Sequence, residues 1–189
     1  MRKIIASSVL VLGLLFSAGS PALAASAYNI DSTHTFVEFR IKHLGYSWMI
    51  GTFDKVAGNF NYDPAAGVEP SVSVTIETDS VDTSHAERDK HLRSPDFLDV
   101  EKFPTSTFVS TGFKDGIMSG DLTLHGVTKA VQIPVKLIGE GPGRMGKGYN
   151  AGFEGELTID RRDFGMDKNL GPASWLVNLF FSIEGNKTE

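Results

Sequence analysis

The chain contains no cysteine, which excludes a disulfide framework and thiol-based mechanisms together. Small exported domains often depend on disulfides, so this one has to hold itself together by core packing. No apolar run reaches the roughly 20 residues that a membrane-spanning helix needs; the longest, residues 4–16, is 13 residues. A surplus of positive charge is missing as well. With 18 Lys and Arg against 23 Asp and Glu, the chain is acidic, whereas nucleic acids and anionic membrane surfaces select basic patches. There is no G-x-S-x-G nucleophile elbow, no internal repeat and no low-complexity linker. The glycine-rich run at residues 139–148 lacks a Gly-Lys-Ser/Thr ending and is followed by strand-like alternation. It reads as a hairpin connection and not as a phosphate loop.

What is present begins with an export signal. Arg2 and Lys3 precede the apolar stretch, and Pro21-Ala22-Leu23-Ala24 supplies small residues in an A-x-A arrangement. This three-part layout predicts a secretory signal peptide over residues 1–24, leaving a soluble, periplasmic domain over residues 25–189. The signal holds two of the positive charges and none of the negative ones, so the remaining chain has a net charge of −7. Its length suits one domain with a sizeable core.

After the signal the dominant period is two. Val37, Phe39 and Ile41 alternate with Glu38, Arg40 and Lys42, and Val72, Val74 and Ile76 with Ser73, Thr75 and Glu77. The same pattern runs through Leu122 and Leu124; through Val131, Ile133, Val135 and Leu137; and through Phe153, Leu157 and Ile159. Trp175, Val177, Leu179, Phe181 and Ile183 share one further face. Each run predicts a strand with one wet and one buried face. With strands near residues 53–62 and 105–110, the count reaches about eight. Turn signals separate them at Asp115-Gly116, His125-Gly126 and residues 63–67. The expected fold is all-β, an eight-stranded antiparallel barrel, a size at which the interior is filled by side chains or holds one small ligand.

One segment interrupts the strands. Ser84 and Glu87 have capping-box spacing, predicting a short helix to about Leu92, and Ser94-Pro95 offers a second helical start. A 3.6-residue period places Val81, His85, Arg88 and Leu92 on one stripe, turning His85 and Arg88 inward and Glu87, Lys90 and His91 outward. An inward Arg could bind a carboxylate or phosphate head; alternatively it pairs with Asp89, Asp96 or Asp99 to pin the excursion. The five histidines show no local metal-ligand spacing, so no metal is expected. Asp160-Arg161-Arg162-Asp163 suits a strand end with local ion pairing. Twelve phenylalanines remain beyond the signal. Some lie off the clean stripes, such as Phe36 against Phe39 and Phe180 against Phe181. They imply either a large core or a ligand cavity with core-type walls.

Several ordered motifs resemble the YceI-like family. They are residues 39–48 (Phe-Arg-Ile-Lys-His-Leu-Gly-Tyr-Ser-Trp), Gly51-Thr52-Phe53, residues 87–99 (Glu-Arg-Asp-Lys-His-Leu-Arg-Ser-Pro-Asp-Phe-Leu-Asp), Phe103-Pro104, residues 120–129 and Arg162-Asp163-Phe164-Gly165. The resemblance spans nearly all of residues 25–189. It implies a lipocalin-like barrel around a long apolar tunnel that binds polyisoprenoid chains such as quinones or prenyl phosphates, without an assigned enzymatic activity. The expected wall is Phe39, Ile41, Phe53, Phe97, Leu124, Trp175, Val177 and Leu179, with His43, His85 and Arg88 as polar groups near one end. The expected partner is an apolar small molecule or lipid, with no nucleic acid, no membrane embedding and no cofactor beyond the bound isoprenoid. Two alternatives stand beside this carrier: an enzyme on a small apolar substrate or quinone with His85 or His91 in proton transfer, and a binding module for an envelope protein.

Overall fold

Alternation turns directly into wall and surface. In β2 (Phe36–His43), Val37, Phe39 and Ile41 are buried while Phe36, Arg40 and Lys42 are exposed. The computed structural model describes residues 26–65 and 67–188; the segment expected to direct export lies outside them. Eight staves make the barrel. The first is β1 (Ala27–Ile30) with β2, broken at residues 31–35, and the second is β3 (Ser47–Phe53) with β4 (Val56–Asn61). The third is β5 (Ser71–Glu77), prolonged by the short β6 (Val81–Asp82). The others are β7 (Thr105–Lys114), β8 (Ile117–Leu124), β9 (Val127–Pro142), β10 (Tyr149–Asp160) and β11 (Leu176–Lys187). All pairings are antiparallel, and the sheet closes where β11 meets β1 at Tyr28–Lys187 and β2 at Val177–Ile41. Closure leaves no long free edge.

Local chemistry sets the connections. Asp115-Gly116 and His125-Gly126 each have both residues at positive φ, as two-residue hairpins matching strand twist require; Leu44-Gly45 has the same signs within the three-residue connection between His43 and Ser47. Glycine also makes room inside. A Cβ at Gly51 would overlap the ring of its cross-strand partner Phe39, and one at Gly120 the ring of Phe108. The glycine-rich run forms part of a hairpin, although β9 extends through Pro142 before the chain turns.

The only α-helix among the described residues is α1 (Ala86–Leu92), and no helix among them is long and apolar enough to cross a membrane. Its start differs from the capping-box expectation. Ser84 takes a left-handed φ of 59° and gives its N–H to Asp82 Oδ1, so His85 becomes the N-cap, with Nδ1 accepting from Arg88 N–H at 3.3 Å. The second helical start at Ser94-Pro95 yields successive turns instead; Ser94 O accepts from the N–H of both Phe97 and Asp99. The turns bring Phe97 and Leu98 down as buried residues over one barrel end.

Candidate functional site

The closed barrel encloses two apolar chambers. The one beneath α1 has a volume of about 510 Å³, and the one at the opposite end about 360 Å³. Ile76, Ser106, Leu122 and Phe181 belong to both walls, so the chambers meet at a waist near mid-barrel. The far chamber is walled by strand residues such as Phe60, Phe108, Ile133, Phe153 and Leu157. Its aromatic end is organised by a Tyr28–Phe60 stack at 4.8 Å and a Phe60–Phe153 edge contact at 5.5 Å. Glu154 is the one charged residue on that wall among the described residues, and its carboxylate also pairs with Lys136 at 3.1 Å.

The helix-side chamber is different in charge. Its wall includes Lys42, His43, Arg88, His91 and Arg161 and, among the described residues, no Asp or Glu. Arg88 donates from Nε to Thr83 Oγ1 and from Nη2 to Thr83 O, both at 2.7 Å. It has no carboxylate partner among the described residues, so the predicted pairing with Asp89, Asp96 or Asp99 is replaced by an anchor onto Thr83. Arg161 is 3 % exposed. Its guanidinium donates to the carbonyls of Ser174, Met166 and Lys168 and lies 4.5 Å from the Trp175 ring centroid. Burial pulls its pKa below the ordinary arginine value, with the Asp160 charge opposing. His91 completes the rim, bonded through Nε2 to Asp96 at 3.0 Å. Asp96 also pairs with Lys168 at 2.8 Å.

Comparison with known proteins agrees with this architecture. The YceI-like domain matches residues 28–185. The chain belongs to the YceI-like family. It is 52 % identical to the protein YceI of Escherichia coli O157:H7 over 176 residues, 91 % of this chain and 92 % of that one. Among solved structures, the Campylobacter jejuni YCEI protein is 31 % identical with a TM-score of 0.70, over 79 % of this chain and 91 % of the other. A polyisoprenoid binding domain from Saccharophagus degradans shares the fold at 19 % identity and a TM-score of 0.66, over 86 % of this chain and 99 % of that one.

Within this YceI-like barrel, Phe39, Ile41, His43, Phe53, Arg88, Phe97, Leu124, Val177 and Leu179 all line the helix-side chamber. His85 and Trp175 do not. The one-residue delay in the helix start turns His85 to solvent and buries Asp89 in its place. Trp175 follows the turn Pro172–Ser174 with helical backbone angles, φ −80° and ψ −38°. That breaks the alternation before β11 begins, and the ring lies against Arg161 and Arg162. The Asp160–Arg162 ion pair at the end of β10 is the local pairing expected there, but Arg161 between them points inward.

Asp89 is the polar residue that pattern reading missed. Its Oδ1 accepts from both the N–H and the hydroxyl of Thr83. Burial opposes its ionisation, but the Thr83 bonds, the His85 N–H and the Arg93 charge outweigh it and hold the carboxyl below its usual range. The far chamber was likewise missed as a unit, although its strands were legible one by one. Elsewhere, Asp31, His34 and Glu184 bring ligand-type atoms within 4.8 Å of one another. Hydrogen bonds from Thr33, His34 and Asn186 already hold Asp31, so the cluster serves as a tie across the break between β1 and β2.

Proposed function

We propose that the protein is an exported, periplasmic carrier for a long apolar ligand of the polyisoprenoid class, a quinone or a prenyl phosphate. The observation that carries this reading is the pair of apolar chambers that abut at a waist inside a closed barrel, with four residues common to both walls. Such a shape suits a chain longer than either chamber. Each methylene moved out of water contributes about 0.8 kcal/mol, so affinity grows with the length accommodated. The polyisoprenoid-binding domain that shares the fold supports the ligand class. The charge difference between the chambers supports an orientation, with a polar or anionic head beside Arg88 and His43 and the tail through the waist. His85 is engaged as a helix cap and lies outside both chambers, which removes it as a proton-transfer group for a bound ligand.

The test is to purify the protein gently from its producing cells and extract it with organic solvent. Mass spectrometry is expected to find an isoprenoid, and the N-terminus of the purified chain to be Ala25. No bound lipid, together with no uptake of added quinone or prenyl phosphate, overturns the ligand assignment. Arg88→Leu is expected to weaken an anionic-headed ligand about tenfold, the loss of one charge-assisted contact, while sparing a neutral one. Equal losses would make Arg88 a purely structural anchor.

A further inference from the structure

The helix-side chamber reaches the surface through apolar residues. Leu44 and Leu170 line it and are exposed as well. Leu44 is at the tip of the β2–β3 hairpin, and the outer face of that hairpin continues the apolar surface. Tyr46 is 87 % exposed, and Trp48 and Ile50 are each about half exposed. Trp48 pairs across the strands with Lys42, whose ammonium lies 5.3 Å from the indole centroid, and Ile50 pairs with Arg40. Leu176, one residue beyond the Val177–Ile41 pair, stands on the other side of Lys42 and is also exposed.

This rim is held in place. Ser174 Oγ donates to Lys42 O at 2.7 Å, and the hairpin N–H of Tyr46 donates to His43 O at 2.9 Å. Arg40 and Lys42 have no carboxylate partner among the described residues. On a chain whose overall charge is negative, two free cations set among a Trp, a Tyr and branched aliphatics form a local exception. Aromatic rings with a polar edge and cations on long apolar stems are the side chains that settle at a bilayer interface.

We infer that the β2–β3 hairpin and the start of β11 form a docking rim for an anionic phospholipid bilayer. Docking there opens the helix-side chamber onto the membrane, so that a long apolar ligand passes between bilayer and barrel without crossing water. The transfer step rests on the ligand reading above; the docking step stands on the rim itself. The net negative charge of the whole molecule limits the contact to a weak and reversible one.

Flotation with vesicles of phosphatidylethanolamine and phosphatidylglycerol tests the docking step. The wild-type chain is expected to float with these vesicles, and at least fivefold less with pure phosphatidylcholine or in 0.5 M salt, where charge attraction is screened. Trp48→Glu with Ile50→Glu is expected to lower flotation at least fivefold, and Tyr46→Ser, an exposed turn change that spares the sheet, to lower it measurably. Ligand uptake from a cyclodextrin complex, with no vesicle present, is expected to be unchanged in both variants. Wild-type flotation that is absent, or unaltered in both variants, overturns the docking rim. So does a concentration-dependent dimer that the same substitutions abolish without any vesicle binding, because the rim then covers a second copy. Flotation with no uptake by either route retains the rim and overturns the ligand reading and transfer with it.

Discussion

The two chambers share one wall material and differ in what interrupts it. The far chamber is built almost wholly by strands, and alternation gives it an apolar lining with Glu154 as its charged residue. The helix-side chamber has a similar strand lining that breaks its apolar alternation where β2 ends, at Lys42 and His43; α1 adds Arg88 and His91, and the irregular segment after β10 adds Arg161, Asn169 and Ser174. A strand fixes the face of each residue by parity, so it delivers a polar group to the interior only by breaking its own pattern. Helices and turns carry no such constraint. Polar and charged groups therefore collect at the barrel end where strands give way to helix and turns, and the other end is left almost wholly apolar.

The comparison is broken most severely by removing Arg161. It joins three carbonyls of residues 166–174 to the end of β10, and Met in its place leaves those carbonyls unpaired in a buried site. Hydrogen bonds from a charged donor contribute about 1.5–3 kcal/mol each, partly offset by relief from burying the cation. Arg161→Met is expected to destabilise the fold by about 3 kcal/mol, a fall of roughly 6–12 °C in Tm for a domain of this size, read by thermal unfolding. Arg88→Leu, on the same chamber wall, is expected to cost about 1 kcal/mol. Similar losses at both positions would erase the distinction between an arginine that builds the site and one that meets the ligand.

The waist offers the next largest effect. Ile76→Trp fills the passage between the chambers, with an overpacking cost of about 1–3 kcal/mol in stability. A ligand long enough to occupy both chambers is expected to bind at least tenfold more weakly, measured by fluorescence competition, while a short-chain analogue confined to the helix-side chamber loses little. Equal weakening of both would mean that the chambers do not act as one tunnel.

Acid sensitivity sharpens the contrast from the helix side. Thr83 and its neighbours hold Asp89 below the usual carboxylate range, and Arg162 holds Asp160 at about 2. Depressed folded values stabilise the protein above the unfolded carboxylate pKa of about 4, and that contribution is lost as pH falls from about 4 toward 2. Asp89→Asn is expected to lower stability at pH 7 and to flatten part of the decline below pH 4 in urea titrations. An acid limb unchanged in slope would remove Asp89 from the linkage.

Parity explains how much was legible. Val37, Phe39 and Ile41, or Val177 and Leu179, announce the inner face because a strand has only two, so the barrel and seven residues of the helix-side wall could be read directly, while Arg88 on α1 and Phe97 in the turns after it lie outside that rule. What parity does not carry was lost. One left-handed residue, Ser84, delays α1 and exchanges His85 for Asp89, while helical angles at Trp175 take its ring off the face it shares with Val177 in the sequence. Both failures occur where the backbone leaves regular structure, and a single φ there depends on tertiary bonds such as Thr83 to Asp89. Arg161 was hidden for a related reason: its neighbours Asp160 and Arg162 pair with each other, and a charge-rich run does not reveal which member turns inward.

The smallest expected effect probes the far chamber. Glu154 is on that wall, yet its carboxylate pairs with a largely exposed Lys136, and exposed pairs contribute about 0–1 kcal/mol. Glu154→Gln keeps the size of the side chain and removes its charge, so stability is expected to change by less than about 0.5 kcal/mol. The informative measurement is the affinity ratio between an anionic-headed and a neutral ligand of equal chain length. A head at Arg88 is separated from Glu154 by the waist and the length of the tail, so the ratio is expected to remain the same. A clear gain for the anionic ligand in Glu154→Gln would mean that the carboxylate had been repelling the head, placing it in the far chamber and reversing the orientation that the helix-side cations favour.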